Sequence, residues 1–141
     1  MMAQVFLDTA YAIALSVPND LFHQQAILLA DQLEAAGTRL VTTRAVILEI
    51  GNALSKQRYR HAAIRLLQSL ELDPSVKVIP LSEHLYERAF TLYRGRLDKE
   101  WGLIDCVSFA VMQDHGIVEA LTTDEHFQQL GFRMLLQKDS L

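Results

Sequence analysis

The chain has 141 residues, half of them hydrophobic and 21% charged, which suits one globular domain able to bury a sizeable core. Thirteen Lys and Arg against seventeen Asp and Glu leave a net charge of −4, which argues against a protein that coats nucleic acid through bulk positive charge. No apolar run approaches the ~18 residues of a membrane span, the start lacks a basic, cleavable leader, and the single cysteine, Cys106, allows no internal disulfide, so a reducing cytoplasm is expected.

In chain order, "QVFLD" (4–8) reads as a short buried strand, and "TAYAIALS" as a short helix that Pro18 stops. The stretch 19–37 opens on cap-type residues, carries apolar positions at helical spacing and closes on Gly37, which predicts a helix. "RLVTT" (39–43) is strand-like, and "RAVILEIGNALS" is helical behind a Thr43 cap. Helix 58–72, strand 76–81 and the serine-capped helix 82–96 follow. A polar joint, "LDKEWG", leads into helix 103–116, which Gly116 ends. The last strands are 118–123 and 132–137, with one helical turn between them. Strands alternating with helices along the whole length predict one parallel α/β sheet covered on both faces. Such sheets bind ligands beyond the carboxyl ends of their strands.

Four carboxylates are directed to that edge. Asp8 and Asp124 follow the ends of two predicted strands, and Asp105 lies in the first turn of a helix that starts there. Glu49 sits about 9 Å along its helix at ~1.5 Å per residue, but a glutamate side chain leans back toward the helix start. Glu49 and Asp105 have apolar sequence neighbours, Leu48 and Ile50 for one and Ile104 and Cys106 for the other. Two carboxylates ~5 Å apart repel by roughly 3 kcal/mol at an effective dielectric of ~20. No lysine or arginine is an obvious central partner, so a divalent cation relieves the conflict. An all-oxygen site suits Mg²⁺ or Mn²⁺. Each acid also has a plainer role when taken singly. Asp8 can cap the following helix, Asp105 and Asp124 can be first-turn acids favoured by the helix dipole, and Glu49 can be a partly buried glutamate. Their coincidence at one rim is what those roles do not require.

The segments "FLDTA", "ILEIGNAL", "DKEWGLIDCVSFAVM" and "LTTDEHFQQLGF" together resemble the PIN-domain family, and within it the VapC-type ribonuclease toxins. The resemblance covers essentially 1–141. It implies an α/β/α sandwich with a central sheet of about five parallel strands, and a metal-dependent endoribonuclease. Asp8, Glu49, Asp105 and Asp124 would be its catalytic, metal-binding acids. Thr9 or Thr123 would orient a carboxylate or a water. It implies cleavage to 5′-phosphate and 3′-hydroxyl ends with Mg²⁺ or Mn²⁺, a homodimer, and a small VapB-like antitoxin in a groove beside the acids, which exposed apolar side chains of the 9–37 helical pair such as Phe22 or Leu29 could line, although core packing is expected for most of them. Gly102 departs from the Ser or Thr common in such proteins.

Other readings fit less well. A haloacid-dehalogenase-like phosphatase wants a second aspartate at position 10, which is Ala10, and a dinucleotide fold wants glycines that "DTAYAIA" lacks. The five histidines show no metal-ligand spacing, and exposure is expected for His126. Trp101 is expected to pack, and Arg44, Lys56, Arg58, Arg60 and Arg65 to lie on a solvated face. A PIN nuclease of RNA maturation, or a non-catalytic PIN module, are the alternatives to a toxin.

Overall fold

The computed structural model describes residues 3–137; residues 1, 2 and 138–141 of the predicted domain lie outside the described residues. The elements run β1 (Gln4–Leu7), α1 (Thr9–Ser16), α2 (His23–Ala35), β2 (Arg39–Thr43), α3 (Arg44–Ala53), α4 (Gln57–Leu72) and β3 (Val76–Ile79). They continue with α5 (Glu83–Gly95), α6 (Leu103–His115), β4 (Glu119–Leu121), α7 (His126–Gln129) and β5 (Arg133–Met134). All five strands are parallel, in the order β3-β2-β1-β4-β5. The predicted α/β class and strand number are therefore present.

That order follows from burial. Val5, Phe6 and Leu7 are buried in succession, as a central parallel strand with both faces covered requires. The chain winds outward from β1 through β2 to β3, then returns to add β4 and β5 on the other side. The switch point between β1 and β4 opens a crevice at their carboxyl ends, the place where open parallel sheets hold ligands.

Local signals set most boundaries. The Thr43 side chain accepts the Val46 N–H at 3.1 Å and that of Ser82 accepts from Leu85 at 3.1 Å, so both predicted caps are made. Gly116 takes φ 64°, a left-handed turn that a residue with a Cβ rarely adopts, and ends α6. The helix expected from residue 19 starts only at His23, because the Asp20 carboxylate accepts the Phe22 N–H at 2.9 Å and closes a local turn. Both late strands are shorter than expected. β4 stops at Leu121, which releases Thr122 and Thr123 from the ladder.

The helices α5 and α6 form a hairpin. Arg88 of α5 donates to the Ala110 carbonyl at 3.4 Å and pairs with Asp114, so the start of α5 lies beside the end of α6. Leu85 and Ala89 bury themselves in that contact. Around β4 an aromatic cluster fills the core: Phe109 meets Trp101 and Phe127 edge-on, with ring centroids at 5.3 and 4.9 Å. Trp101 is buried, as expected, and its Nε1 donates to Gln129 Oε1 at 2.7 Å. The basic residues of α3 and α4 are solvated: Arg44 pairs with Glu71, Arg60 donates to the Ser55 carbonyl, and Arg58 lies over the Tyr59 ring.

Candidate active site

Asp8 follows β1 directly and occupies the N-cap position of α1, yet its side chain makes no cap hydrogen bond. Instead its Oδ2 accepts the Thr122 hydroxyl at 2.7 Å. The capping role open to Asp8 in the sequence is thus not the one it takes. The carboxylate is 7% exposed, and burial pushes its pKa up to about 6. The Thr122 hydroxyl and the Thr9 amide lower it, while the Asp105 and Glu49 charges add to the rise.

Glu49 reaches the same place from the second turn of α3, where it accepts the Thr9 hydroxyl. Of the two hydroxyls expected near the acids, Thr9 does orient a carboxylate. Thr123 does not, and Thr122 takes that part. The strand ends two residues earlier than expected, and the side-chain parity of the departing chain turns Thr122, not Thr123, into the crevice.

Asp105 stands in the first turn of α6, where its Oδ2 accepts the Gly102 N–H at 3.2 Å. Glycine contributes no side-chain half to this cap, so the acid alone closes it. Burial and then the neighbouring Asp124 raise the Asp105 pKa, against His126, which lowers it. Asp124 is held from both sides: its N–H donates to Thr122 Oγ1 at 3.0 Å, and its Oδ1 accepts the His126 N–H at 2.9 Å.

His126 was expected on the surface and is half-buried. Its Nδ1 lies 3.3 Å from both Asp105 Oδ2 and Asp124 Oδ1. Ligand atoms of Asp105, Asp124 and His126 lie within 4.8 Å of one another. The neighbour in sequence explains the placement. Phe127 is wholly buried against Phe6 and Phe109, so the short helix α7 is anchored by one ring and carries His126 over the acids. The one sequence signal was the two-residue spacing of Asp124 and His126.

All four predicted acids therefore converge at the switch point. Among the described residues no lysine or arginine pairs with any of them. One buried and three half-buried carboxylates without a lysine or arginine partner fit a divalent cation, and a set dominated by carboxylates is chemically suited to one. Cys106, next to Asp105, is no candidate nucleophile, since burial first and Asp105 second push its thiol up to about 11.

Comparison with known proteins identifies the fold and the family. The PIN-domain profile matches residues 5–133. The 23S rRNA-specific endonuclease VapC20 of Mycobacterium tuberculosis is 29% identical over 128 residues, spanning 91% of this chain and 95% of that protein. The crystal structure of M. tuberculosis VapC20, a sarcin–ricin loop cleaving toxin, superposes with a TM-score of 0.79 at 27% identity over 91% of this chain and 95% of the other. Two more distant structures share the fold. Rickettsia felis VapBC2 bound to a promoter DNA fragment gives 0.65 at 12% identity, covering 93% and 96% of the two chains. Neisseria gonorrhoeae FitAcB gives 0.66 at 16% identity, covering 97% and 99%. The chain belongs to the PIN-domain family.

Proposed function

We propose that this protein is a VapC-like endoribonuclease toxin, dependent on Mg²⁺ or Mn²⁺, with Asp8, Glu49, Asp105 and Asp124 as its metal-binding and catalytic acids. The observation that carries the reading is the gathering of these four side chains, from four separate segments, at one crevice without a lysine or arginine partner: the charges of Asp105 and Glu49 act on Asp8, and that of Asp124 on Asp105. Likeness to an RNA-cleaving PIN protein over nearly the full length supports RNA as the substrate class.

A divalent ion held there supplies Lewis-acid stabilisation for charge that develops on a phosphodiester. The chain's own part is to aim the ligands before the ion arrives. Thr122 ties Asp8 to the Asp124 backbone, Thr9 tethers Glu49, and the Gly102 N–H and His126 hold Asp105. Each acid is thereby kept in a productive orientation by a neighbour whose position the fold sets. With the Asp8 pKa at about 6, a cation must displace its proton only below about pH 6 and meets a carboxylate that is already ionised above it.

As the resemblance implies, we assign the protein a small VapB-like antitoxin and self-association into a homodimer. Phe22 and Leu29 are partly buried and pack against the core, as expected for most of these side chains. Leu21, Ile27 and Leu28, at 75%, 39% and 62% exposure, are the apolar side chains on that region which remain open to a partner. Among the described residues no helix is long and apolar enough to cross a membrane.

Incubating purified, antitoxin-free protein with RNA tests the reading. Cleavage should require Mg²⁺ or Mn²⁺, stop with EDTA and be absent in Asp8→Asn. A folded protein that neither cuts RNA nor binds a divalent ion would overturn it.

A further inference from the structure

Trp101 stands four residues before Asp105, and Gln129 five residues after Asp124. The Trp101 Nε1–H donates to Gln129 Oε1 at 2.7 Å, so the approach to α6 is joined to the last residue of α7. Packing leaves the indole no other place to turn. It is 4% exposed, lies edge-on to Phe109 at 5.3 Å and is covered by the Arg96 guanidinium at 5.1 Å. Asp98 holds that guanidinium in turn through two contacts of 3.1 Å. A buried indole N–H without an acceptor is costly, so the packing that fixes the ring also fixes where Gln129 must stand.

The short helix α7 needs such a point. It is a single turn, His126–Gln129, and Phe127 is its buried side chain. One ring sets where the turn sits but leaves it able to pivot. His126 is a second tie, with Nδ1 at 3.3 Å from Asp105 Oδ2 and Asp124 Oδ1. That contact uses the carboxylates themselves, so a cation in the crevice competes with it for the same charge. The Trp101–Gln129 bond engages no acid and stands outside that competition.

We propose that Trp101 and Gln129 are positioning residues of the metal site, acting through Asp105 and Asp124. Their bond sets the spacing between the start of α6 and α7, and with it the affinity for a divalent ion. The proposal rests on the metal-dependent reading given above. Ligands held at the right spacing before an ion arrives need no further ordering when it binds. Direct outer contacts of metal ligands are worth about 10–100-fold in affinity, and this one acts through a further link, so a loss of about fivefold is expected.

The dissociation constant for Mn²⁺, read without RNA from the electron paramagnetic resonance signal of the free ion, tests it. Gln129→Met keeps the side-chain length and removes the amide acceptor. Trp101→Phe keeps a ring against Phe109 and removes the donor. Each should raise the dissociation constant about fivefold, and the double variant should raise it no further, because either change alone abolishes the bond. Gln128→Met, the same change at the neighbouring exposed position, should leave it unaltered. Gln129 is on the surface, so Gln129→Met against Gln128→Met decides the matter even where Trp101→Phe does not fold. A bond that serves stability alone would lower Tm in EDTA without moving the Mn²⁺ affinity. Single variants that bind Mn²⁺ as tightly as the wild type overturn the proposal and leave the metal reading intact. Additive losses in the double variant, or an equal loss in Gln128→Met, overturn it as well. A folded wild type that binds no Mn²⁺ overturns both.

Discussion

The Thr122 hydroxyl lies 2.7 Å from Asp8 Oδ2 and at the same time accepts the Asp124 N–H at 3.0 Å. One buried side chain therefore joins the ends of β1 and β4, 114 residues apart in sequence, and orients two of the four acids. Thr122→Val keeps the shape but removes the donor and the acceptor. It should cost about 1–3 kcal/mol and lower RNA cleavage at least tenfold, whereas Thr122→Ser should retain most of both. Urea unfolding and a cleavage assay on the two variants check this. Equal behaviour of Val and Ser would mean that the hydroxyl orients nothing.

Asp8 makes the metal-free fold pH-sensitive. Its folded pKa of about 6 lies above the ordinary 3.8, so the folded state holds this proton more tightly than the unfolded chain does. Its contribution is favourable below about pH 4 and is lost as the pH rises toward 6, a swing of about 3 kcal/mol. Asp8→Asn should therefore unfold at a higher temperature than the wild type in EDTA at pH 8, with no such gain at pH 4. A variant less stable than the wild type at pH 8 would contradict the burial argument.

Divalent ions should offset the same strain. At a concentration one hundred times the dissociation constant, Mg²⁺ or Mn²⁺ should add about 3 kcal/mol to stability at pH 8. The gain should shrink below pH 6, where the cation must displace the Asp8 proton. Differential scanning calorimetry with and without EDTA reads the effect. A gain that survives unchanged in Asp8→Asn would place the ion elsewhere.

Gly102 offers a stabilising change beside the site. A Cβ built there meets nothing closer than Asp105 Oδ2 at 3.8 Å, and φ is an ordinary −74°. Gly102→Ser should complete the N-cap of α6 and restrict the unfolded chain, adding about 0.5–1 kcal/mol and raising Tm by a few degrees. Cleavage should be retained. A fall in Tm would show that the backbone there tolerates no side chain.

Phe127 is an indirect support. Phe127→Ala should cost about 3–5 kcal/mol and also release His126 from Asp105 and Asp124, because the ring is the buried anchor of α7. An NMR titration of His126 would then report a changed environment along with the lower Tm. An unaltered His126 signal would show that α7 is positioned by its backbone alone.

Much of this protein was legible in one dimension. Apolar runs such as "VFL" and "LVTT" and the helical spacings between them carry strand and helix identity locally, and Gly116, Thr43 and Ser82 act on their own helix ends. The four acids were legible for the same reason, since each follows a strand end or a helix start and a parallel sheet puts those points on one edge. Three features depended on contacts that no periodicity records. Asp20 competed for a backbone amide and delayed α2. The choice between Thr122 and Thr123 rested on where the β4 ladder stopped, and that is set by its pairing with β1 and β5. His126 carries no signal of its own and sits over Asp105 only because Phe127 is buried against Phe6 and Phe109. Periodicity and local caps thus determined the elements and the edge where chemistry would gather, because they act within a few residues. Which hydroxyl holds Asp8, and which imidazole stands between Asp105 and Asp124, was decided by the packing of β1 against the end of the chain, between segments far apart in sequence that no local pattern links.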